Sequence, residues 1–214
     1  VINNLNLQIA DKNIHGLVGL NGSGKTTLLN GVFGSKKVSS GVILYDNEPI
    51  RRRDIGYLET GNYFYSRITG MEYLQLFCIN NPLFDIKSWN TLFDLPLNDF
   101  IEKYSTGMKK KLAFMGIVAL DTPILILDEP FNGIDLETMQ KFKLILMALK
   151  EKGKTIVITS HILESLTSIC DAISYLNEKN VEFTFNKSNY SEMEASIFGR
   201  FNKENSKKIH DLLE

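Results

Sequence analysis

The stretch Gly19-Leu20-Asn21-Gly22-Ser23-Gly24-Lys25-Thr26-Thr27 constrains this chain more than any other. It fits G-x-x-x-x-G-K-[ST], and it lies between an apolar segment, Ile14 to Val18, and the pair Leu28-Leu29. That order of strand, glycine-rich turn and helix start is the context in which the pattern cradles phosphate. Glycines let the backbone curl so that successive N–H groups point inward, and the helix start adds the positive end of its dipole. The expectation is a nucleoside triphosphate bound by residues 19–27. Lys25 then reaches the β- and γ-phosphates and the Thr26 hydroxyl ligates Mg²⁺.

Composition narrows the class. A chain of 214 residues with 43% hydrophobic and 23% charged content can bury one sizeable core, as an ordinary globular domain does. A formal net charge of −1 gives no electrostatic reason to expect nucleic acid as a partner. Cys78 and Cys170 are far apart and lack metal-ligand spacing, so both read as small buried apolar residues in a reducing compartment. No apolar run approaches the roughly 18 residues of a membrane span, and no charged-then-apolar leader is present. A soluble, cytosolic chain is expected.

Along the chain, Val1 to Ile9 alternates apolar and polar and predicts a half-buried strand. Ile14 to Val18 predicts a buried strand, and Val42 to Tyr45 and Ile55 to Leu58 predict short strands. Thr69 and Glu72 form a capping box for a helix whose apolar face holds Tyr73, Leu74, Leu76 and Phe77. A second helical piece spans Ser88 to Phe93, and Lys109 to Leu120 is helical again. Tyr63, Phe64, Tyr65 and Phe77 read as core or interface aromatics rather than base-stacking groups. Ile124 to Leu127 is a continuous branched apolar run that suits a central parallel strand. Leu136 to Lys150 is an amphipathic helix, Thr155 to Thr159 a third buried strand, and Leu163 to Cys170 a helix. Ile173 to Leu176 and Val181 to Phe185 make a hairpin, and Lys207 to Leu213 a final helix.

Two strand ends carry chemistry. Asp128 follows the apolar run directly, so it emerges at the carboxyl end of a central strand, on the edge where the phosphate loop also emerges. A carboxylate there holds Mg²⁺ through its water shell. Glu129, one residue on, is placed to orient an attacking water and take its proton. His161 ends the third apolar strand on the same edge, where it can donate to the γ-phosphate. His15, inside a strand, and His210, in the polar tail, receive no role.

The phosphate loop, Tyr104-Ser105-Thr106-Gly107-Met108, the run Ile124 to Pro130, Asn132-Gly133-Ile134-Asp135 and Ser160-His161 occur in one order. In that order and spacing the chain resembles the ATP-binding subunit of an ABC transporter, from about Val1 to Leu176. The resemblance implies an α/β fold: a P-loop NTPase core with a mostly parallel central sheet, antiparallel strands at the N-terminal side and a small inserted helical subdomain. Its implied map is one ABC ATPase domain over residues 1–214, N-terminally shortened. Residues 1–60 and 116–214 form the core, and 61–115 form the helical subdomain with the signature segment. It further implies that two domains dimerise head to tail around two ATP molecules, each held on one subunit's loop and against Ser105 and Gly107 of the other. Asp135 matches a loop that contacts the partner. The implied protein hydrolyses ATP with Mg²⁺ and drives separate transmembrane permease subunits from the cytoplasmic face of the membrane. The lysines at 109–111 read either as part of an anion-docking helix start or as a solvated basic face.

Three departures from the family pattern stand out. Thr60 occupies the place of the usual glutamine that senses Mg²⁺. The signature has Thr106 and Met108 for its usual glycine and glutamine, a form that resembles exporters of drugs, peptides and antibiotics. The aromatic residue that stacks on adenine in the family normally lies some way before the position of Val1, so the resemblance implies a domain that lacks it. Two other readings remain alongside: a soluble ABC protein working on nucleic acid or ribosomes, and a non-hydrolysing regulatory module.

Overall fold

The computed structural model describes Ile2 and residues 5–213, apart from the side chains at 198, 200–204, 207, 208 and 211. Its centre is a six-stranded sheet. Strand β1 (Ile14–Val18) leads into helix α1 (Lys25–Val32), and a two-residue pair, β2 (Leu44–Tyr45) and β3 (Glu48–Pro49), stands apart from the main sheet. Then come β4 (Ile55–Leu58), α2 (Gly70–Phe77), α3 (Ile86–Asn90), α4 (Thr106–Ala119), β5 (Ile124–Asp128) and α5 (Leu136–Glu151). β6 (Thr155–Ser160), α6 (Leu163–Thr167), β7 (Ala172–Asn177), β8 (Asn180–Asn186) and α7 (Tyr190–Leu213) complete the chain.

The strand order is β4-β5-β6-β1-β7-β8, parallel throughout except for the final β7–β8 pair. The β2–β3 pair is also antiparallel, with Asp46 and Asn47 both at positive φ (51° and 61°), the geometry that two-residue hairpin turns favour. A mostly parallel sheet with antiparallel additions is thus present, as expected.

The apolar run of β5 is covered on both faces because side chains alternate along a strand. Ile124 and Ile126 pack with Leu17, Leu29, Ile55 and Val157 beneath α1. Leu125 and Leu127 face the larger core, with Phe114 of α4 and Phe142 of α5. Those two rings stack with centroids 3.8 Å apart.

Several element boundaries differ from expectation for identifiable reasons. Residues 5–10 alternate in exposure, yet among the described residues they form no strand; Leu7 and Ile9 pack on the α1-side core without a ladder partner, and Val1 and Asn3 lie outside the described residues. Only Leu44–Tyr45 of the 42–45 stretch is a strand. The α2 capping box forms, Thr69 Oγ1 accepting from Glu72 N at 3.2 Å, but Leu76 is exposed rather than part of the apolar face. α3 begins two residues before Ser88, because the Asp85 carboxylate accepts from Lys87 N (3.0 Å) and Ser88 N (3.3 Å) as N-cap. α4 begins at Thr106 because Ser105 Oγ accepts from Met108 N at 3.2 Å. α6 is shorter than predicted, and α7 starts 17 residues before Lys207 (207 − 190). Cys170 is buried, Cys78 is half-buried, and both are free thiols.

Candidate functional site

Parallel register brings the predicted residues together. Val18 of β1 lies opposite Ser160 of β6, and Asp128 of β5 opposite Thr159 of β6. The loop after β1, the pair Asp128-Glu129 and the pair Ser160-His161 therefore leave the sheet side by side at its carboxyl edge, where open α/β sheets bind ligands.

The loop has the shape its glycines permit. Gly22 (φ 83°) and Gly24 (φ 108°) adopt left-handed backbone, and a Cβ on Gly19 would collide with the Leu176 carbonyl and lie 2.7 Å from Ser23 Oγ. Gly24 caps α1 without any side-chain hydrogen bond, so the first N–H groups of the helix are left to other acceptors. Leu20, Asn21 and Gly22 are exposed, as are Thr26 and Thr27. Ser23 Oγ is buried and is the one such side-chain oxygen or nitrogen without a partner among the described residues. Buried hydroxyls are nearly always partnered. An anionic oxygen in the cradle would satisfy it, so the loop fits a phosphate on the structure's own terms.

Lys25 is buried, and its ammonium donates to Gly19 O at 2.6 Å and Leu20 O at 3.3 Å. Burial pulls its pKa below the ordinary lysine value, against the opposing pull of the Glu129 and Asp128 carboxylates. Thr26 Oγ1 donates to Asp128 Oδ2 at 2.8 Å, and Thr159 Oγ1 donates to Asp128 Oδ1 at 2.6 Å. Thr26 and Asp128 thus present hard oxygen donors beside the cradle, the chemistry that suits Mg²⁺ shared with substrate phosphates. Thr60 reaches the Asp128 backbone carbonyl at 3.4 Å rather than the carboxylate.

Glu129 stands next to this carboxylate with left-handed backbone, φ 52°. Its Oε2 lies 3.0 Å from His161 Nδ1 and 3.3 Å from Asn132 Nδ2. An ionised carboxylate only accepts, so the first bond requires a proton on Nδ1, which makes Nε2 of the neutral ring an acceptor. While that bond is kept, His161 donates to a phosphate through Nε2 as imidazolium.

Loop, Asp128, Glu129 and His161 are therefore one cluster. Ser105 and Gly107 are not part of it: they open α4, and among the described residues no hydrogen bond joins either to the loop 19–27. His15, as expected, is structural; it is buried with Nε2 2.9 Å from Ser174 Oγ, and burial pushes its pKa down to about 4.

Thr159, Asn132 and Lys110 were not foreseen as site residues. Thr159 binds both Asp128 and the Glu129 amide (2.9 Å), and a threonine ending a buried apolar strand signals a hydroxyl that needs a partner. Lys110 is neither an anion-docking nor a solvated lysine: it is 5% exposed, and its ammonium donates to Glu129 O (2.9 Å) and Asn132 O (2.8 Å). Its helix spacing gave the signal, since Ala113, Phe114 and Ile117 share its face. Lys111 lies 3.7 Å from Asp135, the N-cap of α5.

The sequence model of the ABC transporter family matches residues 2–132, more than half of the chain. The chain belongs to the ABC transporter family. Among its relatives, the ABC transporter ATP-binding protein YtrB of Bacillus subtilis is 32% identical over 190 residues, covering 85% of this chain and 65% of YtrB. The lantibiotic transport ATP-binding protein SrtF of Streptococcus pyogenes is 28% identical over 189 residues, covering 85% of this chain and 82% of SrtF. A dimeric ATP-binding cassette solved in a post-hydrolysis state with ADP and Pi superimposes with a TM-score of 0.75 at 23% identity, over 87% of this chain and 90% of that one; this likeness shows the fold. The chain spans between 52% and 65% of the length of three of its curated relatives.

Proposed function

We propose that this chain is the ATP-hydrolysing motor subunit of an ABC transporter, acting with Mg²⁺ and driving export through separate membrane-spanning subunits. The observation that carries it is the joining of cradle, Mg²⁺-type oxygens and base: Thr26 bonded to Asp128, Asp128 bonded to Thr159, and Thr159 bonded to the Glu129 amide. Lys25 and the first N–H groups of α1 would hold the β- and γ-phosphates, while Thr26 and Asp128 would hold Mg²⁺. When bound, the metal neutralises charge on the transferring phosphoryl group. Glu129 orients the attacking water and accepts its proton, and its bond to His161 fixes the ring beside it.

Ser105 and Gly107 would complete the site of a second copy, in a head-to-tail dimer with one ATP at each interface. Two facts favour this: both residues sit at the start of α4 apart from their own loop, and the structurally similar cassette is dimeric. In this reading residues 61–115 move as a helical subdomain against the core of 1–60 and 116–214. Export is supported by the form Tyr-Ser-Thr-Gly-Met and by the likeness to SrtF. No helix among the described residues is long and apolar enough to cross a membrane; the likeness to transporter ATP-binding proteins supports a peripheral subunit on the cytoplasmic face bound to membrane-spanning chains. A net charge of −1 favours protein rather than nucleic-acid partners.

Replacing Glu129 by Gln tests this reading. Hydrolysis should fall about 100-fold or more, the usual contribution of a general base, and dimers should persist in ATP on size-exclusion chromatography. Unchanged turnover would remove Glu129 from its role.

A further inference from the structure

Glu129 is a non-glycine residue with φ 52°, a left-handed backbone state that is strained for an L side chain and that its surroundings must hold. Two side chains grip it here, one from each side. Its amide donates to Thr159 Oγ1 at 2.9 Å, and its carbonyl accepts from Lys110 Nζ at 2.9 Å, with a longer bond from Asn132 N at 3.3 Å. Thr159 is itself tied to Asp128. Lys110 also donates to Asn132 O, so one ammonium closes the turn 129–132 at both ends, and Asn132 Nδ2 returns to the Glu129 carboxylate.

A lysine is an expensive residue to bury. Its neighbours on the α4 face, Ala113, Phe114 and Ile117, are buried and apolar, so packing alone would favour a leucine or methionine at position 110. The ammonium is what the position uses. We propose that Lys110 is a positioning residue for ATP hydrolysis: it clamps the Glu129 carbonyl and thereby fixes where the Glu129 carboxylate stands beside Asp128 and His161. Because Lys110 lies in the second turn of the helix capped by Ser105, this clamp is a direct bond between the signature helix and the backbone of the base. The inference rests on the reading of Glu129 as the general base.

The test compares Lys110→Met in the full-length protein, alone and combined with Glu129→Gln. Alone, Lys110→Met should lower kcat about 10- to 100-fold, the size expected when a partner that orients a catalytic group is removed, while the binding affinity for a fluorescent ATP analogue stays within about twofold. Combined with Glu129→Gln it should change the residual rate by less than about twofold, because its effect runs through that carboxylate. Three results would each overturn the clamp: kcat within about twofold of wild type, an equal loss of nucleotide affinity, or the full loss repeated in the Glu129→Gln background. If Lys110→Met does not fold, Lys110→Gln is read by the same criteria. Wild-type turnover in Glu129→Gln alone would remove the base assignment and the clamp together, and it is seen without any change at Lys110.

Discussion

His15 shows how burial in the loop-bearing strand translates into pH dependence. The imidazole is 2% exposed, and burial lowers its pKa from 6.5 to about 4. The folded state therefore holds the ring neutral over a range in which the unfolded chain would protonate it. Above the unfolded value neither state carries the proton and stability is unaffected. As pH falls through 6.5 the unfolded state gains protons first, so stability declines until the folded value near 4 is reached. Between about pH 7.5 and about pH 4.5 this one group should cost the fold about 2–3 kcal/mol. Urea unfolding at both pH values, in wild type and in His15→Met, checks it; an identical pH slope in the variant would show that His15 does not contribute. Residue identity made the cradle readable in the sequence, since Gly19, Gly22, Gly24, Lys25 and Thr26 each have a local reason for their positions. Thr159 and Lys110 were not readable in the same way. Their partners are 31 and 19 residues distant, and only tertiary packing joins them.

At the scale of elements, α4 carries two tasks that pull in different directions. Its first turn is polar and begins at Ser105, while Leu112 to Ala119 is buried all round. Phe114 anchors the buried part by stacking on Phe142 of α5 at an interplanar angle of 14°. Phe114→Ala should cost about 3–5 kcal/mol, because both transfer and cavity penalties apply in a rigid core. The check is a lowered denaturant midpoint with an unchanged slope; a loss under about 1 kcal/mol would show that the site collapses freely. Strands were legible because β4, β5 and β6 are buried apolar runs whose ends follow the sequence closely. The segment 5–10 misled for a physical reason: alternation reports one-sided burial, and an unpaired segment lying on a core face has the same pattern as a strand. Caps decided the ends of α3 and α4, where Asp85 and Ser105 outweigh propensity.

At the scale of the molecule, the parallel sheet assembles Lys25, Asp128, Glu129 and His161 on one edge, and leaves Ser105 and Gly107 at the head of a separate helix. The sequence order could not show that separation, because spacing along the chain does not reveal whether two motifs serve one site or two. The proposed dimer gives Ser105 a role that only a second copy can complete, and a symmetric dimer repeats each contact twice. A variant carrying Glu129→Gln alone should run at about twice the monomer mass in ATP by light scattering. Adding Ser105→Arg places a bulky cation at the α4 start, where the helix dipole disfavours it and where the partner's nucleotide would dock. The double variant should remain monomeric in ATP, while its affinity for nucleotide as a monomer stays within about twofold of the parent. Dimers that survive Ser105→Arg would place the signature segment outside the interface. A monomer that loses nucleotide affinity in step with Ser105→Arg would place Ser105 in its own site, and the reading of the loop as half of a shared site would then fail.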